Sequence, residues 1–358
     1  MAQDPLEGLP TLTPELPGTG GAVRLSPEDF EVEEVPAYTP CGEGPHLFLF
    51  VEKRGRNTRD VARELARALR VAERDVGVAG QKDRHACTRQ YFSVPGRTPE
   101  DARSLEGEGW RVLSAERHGN KLKTGHLKGN RFRILVRGAG PDALARARAI
   151  ACALEERGLP NAFGAQRFGR DGLNAQRGRA LLAGHGLPEV RGDRFLRRMA
   201  ISAYQALLFN RVLADRIRDG LFATAVPGDL MKKLATGGLF VSQDPAVDSP
   251  RVARFEIAAT GPLFGHRMME PAQDALARER KVLEAEGLTL ASFAPLKGDA
   301  DGTRRALRLP LQLSVEPEGD ALCLSFALEK GSFATVVLRE VMKGEPQGLP
   351  DALEEERD

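Results

Sequence analysis

At 358 residues the chain is long for a single compact core and implies two domains. Hydrophobic residues make up 41% and charged residues 28%, a balance that describes an ordinary soluble globular protein and excludes a fibrous or disordered one. The net charge of +2 conceals a segregation: residues 1–20 carry −3 and residues 345–358 carry −5, so the body between them carries +10, compatible with a polyanionic partner.

The opening, with Pro5, Pro10, Pro14 and Pro17, lacks hydrophobic periodicity and reads as a flexible arm over residues 1–20. It has Asp4, Glu7 and Glu15 but no Lys or Arg, unlike a secretory signal. Short strands are expected at Ala22–Leu25 and Phe30–Val35, separated by the turn-forming Ser26-Pro27-Glu28-Asp29. In the second of them Phe30, Val32 and Glu34 share a face. His46–Lys53, with its run Leu47–Val51, predicts a strand covered on both sides. Asn57 then caps a helix with Val61, Leu65 and Leu69 in line.

The densest chemistry lies in Val76-Gly77-Val78-Ala79-Gly80-Gln81-Lys82-Asp83-Arg84-His85-Ala86-Cys87. Gly80 permits a sharp turn or the close approach of a ligand. Asp83 sits between Lys82 and Arg84, and flanking cations favour the ionised carboxylate that a nucleophilic or proton-abstracting Asp requires. On residue types alone, a solvated charged turn is the commoner reading of such a stretch. Cys87 and His85 could be read as a thiol with its base, although free Cys is usually a small buried residue. A glycosidase needs a second facing carboxylate, and no acid near Asp83 in sequence supplies it.

Strands follow at Tyr91–Val94, Trp110–Arg117 and Arg131–Arg137. Between Glu116 and Asp142 there are seven Lys/Arg and no acid. Lys121, Lys123 and Lys128 lie on the loop Asn120–Asn130, suited to nucleic-acid phosphates or, as readily, to a charged hairpin edge. A helix from Pro141 places Leu144, Ala147, Ala151 and Leu154 on one side and ends at Gly158. Leu159–Gly169, rich in Gly and aromatics without a period, reads as a structured loop close to a ligand. A long helix is expected over Asp193–Arg218, containing the uncharged run Met199–Asn210, far too short to cross a bilayer. After a mixed region with a helix at Pro271–Glu286, strands return at Leu311–Val315, Ala321–Phe326 and Phe333–Leu338, the last two joined by a hairpin turn at Glu329-Lys330-Gly331-Ser332. Strands at both ends around a helix-rich middle suggest one domain interrupted by an insertion. The acidic tail reads as disordered, and four scattered cysteines fit reduced thiols of a cytoplasmic protein better than a disulfide frame or zinc site.

Gly80-Gln81-Lys82-Asp83-Arg84-His85-Ala86-x-Thr88-x-Gln90 resembles the catalytic motif of the TruD family of tRNA pseudouridine synthases. Further blocks resemble that family in the same order: Pro27-Glu28-Asp29-Phe30-x-Val32-x-Glu34, Lys128-Gly129-Asn130-Arg131-Phe132, and Pro160-Asn161-x-Phe163-Gly164-x-Gln166-Arg167-Phe168-Gly169. Ser202-Ala203-Tyr204-Gln205-x-x-Leu208-Phe209-Asn210, Thr260-Gly261-Pro262-Leu263, Arg304-Arg305-Ala306-Leu307 and Gly331-Ser332-Phe333-Ala334-Thr335 complete the set. Each block is weakly specific; their joint occurrence in order is not. The resemblance implies an α+β fold: a pseudouridine-synthase catalytic domain over 21–186 and 307–344 with a mixed, largely antiparallel sheet, interrupted by an inserted α/β (TRUD) domain over 187–306. It implies that uridine 13 of certain tRNAs is the substrate, that tRNA is the partner, and that no cofactor or metal is needed. By motif match Asp83 is the nucleophile, and Phe30, Asn161, Phe163 and Phe333 line the active site. Arg24 stands where the family is expected to carry Lys beside the catalytic Asp, and its planar fork hydrogen-bonds differently. The opposing reading is a catalytically silent tRNA-binding or remodelling protein that uses the same cleft.

Overall fold

Alternating apolar residues build two larger sheets, and a third of two short strands pairs Leu159–Pro160 with Arg308–Leu309. The computed structural model describes residues 8–343, apart from 170, 171, 186, 191, 192 and 297. The first seven strands are β1 (Phe30–Pro36), β2 (His46–Arg54), β3 (Gly77–Val78), β4 (Cys87–Pro95), β5 (Glu106–Gly107), β6 (Trp110–His118) and β7 (Leu127–Val136). A short β8 (Leu159–Pro160) is followed by β9 (Leu230–Lys233), β10 (Leu239–Val241), β11 (Ile257–Leu263) and β12 (Thr303–Ala306). The chain returns through β13 (Arg308–Leu309), β14 (Leu313–Glu318) and β15 (Ala321–Glu329). The helices are α1 (Thr58–Ala68), α2 (Ala143–Arg157), α3 (Leu173–Leu182), α4 (Arg194–Arg218), α5 (Pro245–Ala253), α6 (Gln273–Ala285) and α7 (Ala334–Met342).

The larger sheet runs β14-β15-β7-β1-β4-β2-β6-β5, with β3 on β4, and so draws on both ends of the chain. Its pairs are antiparallel except β1 with β4, which run parallel. The smaller sheet, β10-β9-β11-β12, is built entirely from residues 230–306. Val61, Leu65 and Leu69 close α1 onto Leu47, Leu49, Val51, Phe92 and Val94 of the large sheet. On the other half of that sheet, α2 and α7 cover β7, β14 and β15 through Ile150, Leu154, Val337, Leu338 and Leu324. Helix α4 contributes Phe209 and Leu213 to that same core and turns Tyr204 and Leu208 to a separate one with Phe264 and Phe293. This arrangement of mixed sheet and helices is α+β.

Three expectations fail. Phe333–Leu338 is not a strand: Phe333 is the N-cap of α7, and Glu329–Ser332 leads into that helix rather than round a hairpin. Eight of the nine residues of α7 are buried, so the helix shows no polar face, and its β-branched Thr335, Val336 and Val337 imitate a strand. The segment expected as a loose arm is packed from residue 8 onward. Leu9 and Leu12 are buried, the Leu12 amide donates to both Glu340 carboxylate oxygens, and the Thr19 amide donates to the Val341 carbonyl. Residues 1–7 and the acidic tail 345–358 lie outside the described residues. Ala22–Leu25 contributes only an isolated bridge, Ala22 to Arg137, because the chain turns away at Arg24.

Candidate active site

Arg24 precedes β1 and Asp83 precedes β4. Since β1 and β4 run parallel, with Glu31 opposite Cys87, the two entering loops emerge side by side at one end of the sheet. An antiparallel pairing would have sent them to opposite ends. Arg24 Nη2 lies 2.6 Å from Asp83 Oδ2, the two side chains being 7% and 11% exposed. The His85 amide donates to Asp83 Oδ1 at 2.8 Å. Arg24 holds a left-handed φ of 61°, a conformation that costs a non-glycine residue about 1–3 kcal/mol. Buried Val23 and the Ala22 bridge anchor the chain just before it. Its guanidinium lies 3.9 Å from the centre of the Phe30 ring, which meets Phe132 edge-on and is itself buried. Phe30 is thus a floor under Arg24 rather than an open stacking surface.

The backbone around Asp83 is clamped from behind. Lys53, fully buried at the end of β2, donates through Nζ to the carbonyls of Asp83 (2.8 Å), Lys82 (3.1 Å) and Arg56 (2.7 Å). Thr58 Oγ1 accepts the Lys82 amide and donates to Gln90, whose own amide donates to the Gly80 carbonyl. The Lys82 side chain does not face Asp83. Its Nζ lies 3.2 Å from Glu34 Oε2, in a buried pair. Burial pushes the Glu34 carboxyl up from its usual range, against the charge and hydrogen bond of Lys82 and the Tyr91 amide, which pull it down. Arg84 is exposed. The countercharge expected from the flanking Lys82 and Arg84 therefore comes from Arg24, far away in sequence. Gly80 has no left-handed φ, and a Cβ there would meet nothing within 4 Å, so the turn does not depend on glycine.

A second group gathers Asn161, Phe163 and Phe333. Asn161 is held by the Leu307 carbonyl through its amide and by the Ala306 carbonyl through Nδ2 at 2.8 Å. The side-chain amide of Asn210 on α4 accepts from the Phe163 amide at 2.9 Å and donates to the Phe163 carbonyl at 3.0 Å. The Phe163 ring lies 5.7 Å from that of Phe333, and Ser332 Oγ donates to Asn161 Oδ1. Gly164 lets this loop settle on α7, because a Cβ there would stand 2.4 Å from Thr335 Oγ1. A relay of bonds connects the two groups. The Gly125 amide donates to the Ala79 carbonyl, Lys330 Nζ to the Gly125 carbonyl, and Arg305 Nη2 to the Gly331 carbonyl. Phe30, Ala86 and Phe163 also share one apolar cluster, with Phe333 packed against it.

The basic segment is narrower than its composition implies. Arg131 pairs with Glu33 at 3.1 Å, Arg133 with Glu31 at 2.9 Å and Arg137 with Asp29 at 2.8 Å, because β7 lies antiparallel on β1 with those residues opposed or adjacent. Lys123 and Lys128 are exposed; Lys121 reaches back to the Arg74 carbonyl at 2.7 Å. Lys128 stands in β7, not on the loop. Sequence reasoning missed Lys53, Thr58, Gln90 and Arg305 as parts of this arrangement. A charged residue closing an apolar strand was the available signal for Lys53, and a polar residue on the buried side of a helix was the signal for Asn210.

The family model for tRNA pseudouridine synthase D (TruD) matches residues 8–186 and 192–341. The chain belongs to the TruD family. It is 58% identical over 349 residues to a tRNA pseudouridine synthase D of Anaeromyxobacter sp. (strain Fw109-5), covering 97% of this chain and 99% of the relative. It is 48% identical over 342 residues to one of Thermus thermophilus, covering 95% and 93%. The crystal structure of the putative tRNA pseudouridine synthase D from Methanosarcina mazei superposes with a TM-score of 0.79 at 24% identity, covering 96% of this chain and 98% of that one. At that identity the likeness establishes the TruD fold. No helix among the described residues is long and apolar enough to cross a membrane.

Proposed function

We propose that this TruD-family chain isomerises uridine 13 of tRNA to pseudouridine, with Asp83 as the nucleophile acting on a flipped-out uridine. The observation that carries the reading is the Arg24–Asp83 ion pair, 2.6 Å long on a clamped loop and nearly closed to solvent. In the reaction the N1–C1′ bond breaks, the uracil turns over, and a C5–C1′ bond forms. The C5 proton leaves to solvent and N1 gains a proton, so the product is an isomer. Asp83 either attacks C1′ or removes the 2′ proton; both routes require the anion, and Arg24 supplies its countercharge. A stacked base cannot reach the carboxylate, so it is extruded at a cost of a few kcal/mol. Stacking on an aromatic side chain returns about 1–3 kcal/mol; this reading assigns it to the half-buried Phe333, which packs beside the buried Phe163. Net affinity then rests on phosphate contacts to Lys121, Lys123 and Lys128.

In the same reading, residues 21–186 and 307–344 form the catalytic domain, and residues 187–306 form an inserted domain that supplies the other wall of an RNA cleft. The separate small sheet supports that division. The test is release of tritium from C5-labelled uridine in an unmodified tRNA transcript. Release accompanied by pseudouridine at position 13 is expected; binding without release would leave only the silent tRNA-binding protein.

A further inference from the structure

Two neighbouring arginines on β12 end in opposite situations. Arg304 is consumed by the protein: its guanidinium meets Glu279 at 2.9 Å and Thr260 at 2.8 and 3.1 Å, inside the small-sheet core. Arg305 points to the other side. Its Nε donates to the Asn161 carbonyl at 3.0 Å, and its Nη2 donates to Asn161 Oδ1 and to the Gly331 carbonyl. All three acceptors are neutral, and among the described residues no carboxylate stands within ion-pair distance and no acceptor meets Nη1. Arg308, a buried arginine three positions on, shows what a purely structural role looks like. Its Nε, Nη1 and Nη2 all donate to carbonyls, of Arg157, Val252 and Glu156. Arg305 is held as firmly but keeps one corner of its fork unused.

The surroundings sharpen the imbalance. The Arg305 guanidinium lies 4.4 Å from the centre of the Phe163 ring, and the Arg167 guanidinium lies 5.9 Å from the same centre. Burial and then the charge of Arg167 push Arg305 down to about 10, against the more distant charge of Glu329, so it is still a cation at neutral pH. Arg305 thus stands beside a second cation, over Phe163 and 5.7 Å from the centre of Phe209, with no ion-paired carboxylate among the described residues, an arrangement that favours an incoming anion. The Phe163 ring packs against Phe333, the one assigned above to the flipped uracil, and a nucleotide carries its own phosphates one ribose away from the base.

We propose that Arg305 seats a backbone phosphodiester flanking the flipped uridine, so that anchoring the phosphate delivers the base to Phe333. The proposal rests on the functional reading above. A guanidinium corner is suited to a phosphate oxygen, which accepts charge-assisted bonds in the plane of the fork. Because Arg305 also holds Asn161 and Gly331, occupation of the seat would tie both sides of the aromatic pair to the RNA.

The experiment uses tRNA transcripts in which single phosphodiesters 5′ and 3′ of the target uridine are replaced by neutral methylphosphonates. Binding to wild-type, Arg305→Gln and Arg305→Lys protein is measured at one salt concentration. One linkage is expected to weaken wild-type binding about tenfold, as for loss of one charged hydrogen bond. The same linkage should leave Arg305→Gln unaffected, and Arg305→Lys should keep part of the sensitivity. Losses that simply add in wild type and Arg305→Gln would overturn the seat. If Arg305→Gln does not fold, the wild-type scan decides: no sensitive linkage at either position overturns it. Competition by inorganic phosphate without a sensitive linkage would mark a site for free anions and overturns it too. Tritium release by wild type on the unaltered transcript separates the two readings. No release removes the proposed activity, whereas release without linkage sensitivity removes only the phosphate seat.

Discussion

Asp83 has one carboxylate oxygen on the Arg24 guanidinium and the other on the His85 amide. Asp83→Asn keeps an acceptor for that amide, so the loop holds its shape, but it takes the Asp83 charge away from Arg24. The variant is expected to fold with a stability loss of about 1–3 kcal/mol. It should bind tRNA as well as wild type or better, since an anion has left the RNA surface, and form no detectable pseudouridine. A tenth of wild-type activity in a single-turnover assay would remove Asp83 from the nucleophile role. Lys53 offers a complementary case, because it touches the Asp83 backbone and not its carboxylate. Lys53→Met matches its length but strands three carbonyls, costing about 3 kcal/mol or more in urea unfolding. Single-turnover rates should fall at least tenfold with tRNA affinity nearly unchanged. An unchanged rate in a folded variant would show that the loop needs no clamp.

At the scale of elements, β7 separates cations by role. Its arginines face β1 carboxylates, set opposite them by the antiparallel register, while Lys123 and Lys128 remain exposed at the near end. Replacing Lys121, Lys123 and Lys128 by Ala should therefore lower the slope of log affinity against log salt by about 1–3, since each phosphate contact contributes about 0.7–0.9. Arg131 and Arg133 replaced by Ala should instead leave the slope nearly intact, and, as surface pairs, change stability by less than about 1 kcal/mol each. The reverse pattern would move the RNA surface onto the sheet edge. Helix α7 teaches a related point about legibility. With eight of nine residues buried it has no amphipathic stripe, and a period-based reading had nothing to detect.

On the scale of the whole molecule, residues 9–19 are locked onto α7 near the other end of the described chain. Leu12 and Thr19 bond to Glu340 and Val341, and Arg339 donates to the Leu9 carbonyl. Removing residues 1–21 would expose apolar surface of α7 and forfeit the burial of Leu9 and Leu12, each worth about 1.5–3 kcal/mol. The truncated protein should melt well below the full chain, as followed by circular dichroism. An unchanged melting temperature would mean that this segment contributes nothing to the fold, despite its buried contacts.

The sequence alone determined the elements with a clear period. Helices α1, α2 and α4, strands β1, β2, β4 and β6, and the motif around Asp83 were all legible, because hydrophobic spacing and turn chemistry act over a few residues. The alternation in β1 even placed Glu34 on the buried face, although not its partner Lys82. What only the tertiary structure decided was which charges meet. The parallel pairing of β1 with β4 brings Arg24 to Asp83, the register of β7 on β1 neutralises the arginines, and the return of the chain through β12 puts Arg305 over Phe163. Each of these joins residues far apart along the chain. Local alternation decides which face of a strand is buried, but which distant strands become neighbours is set by the packing of the whole chain.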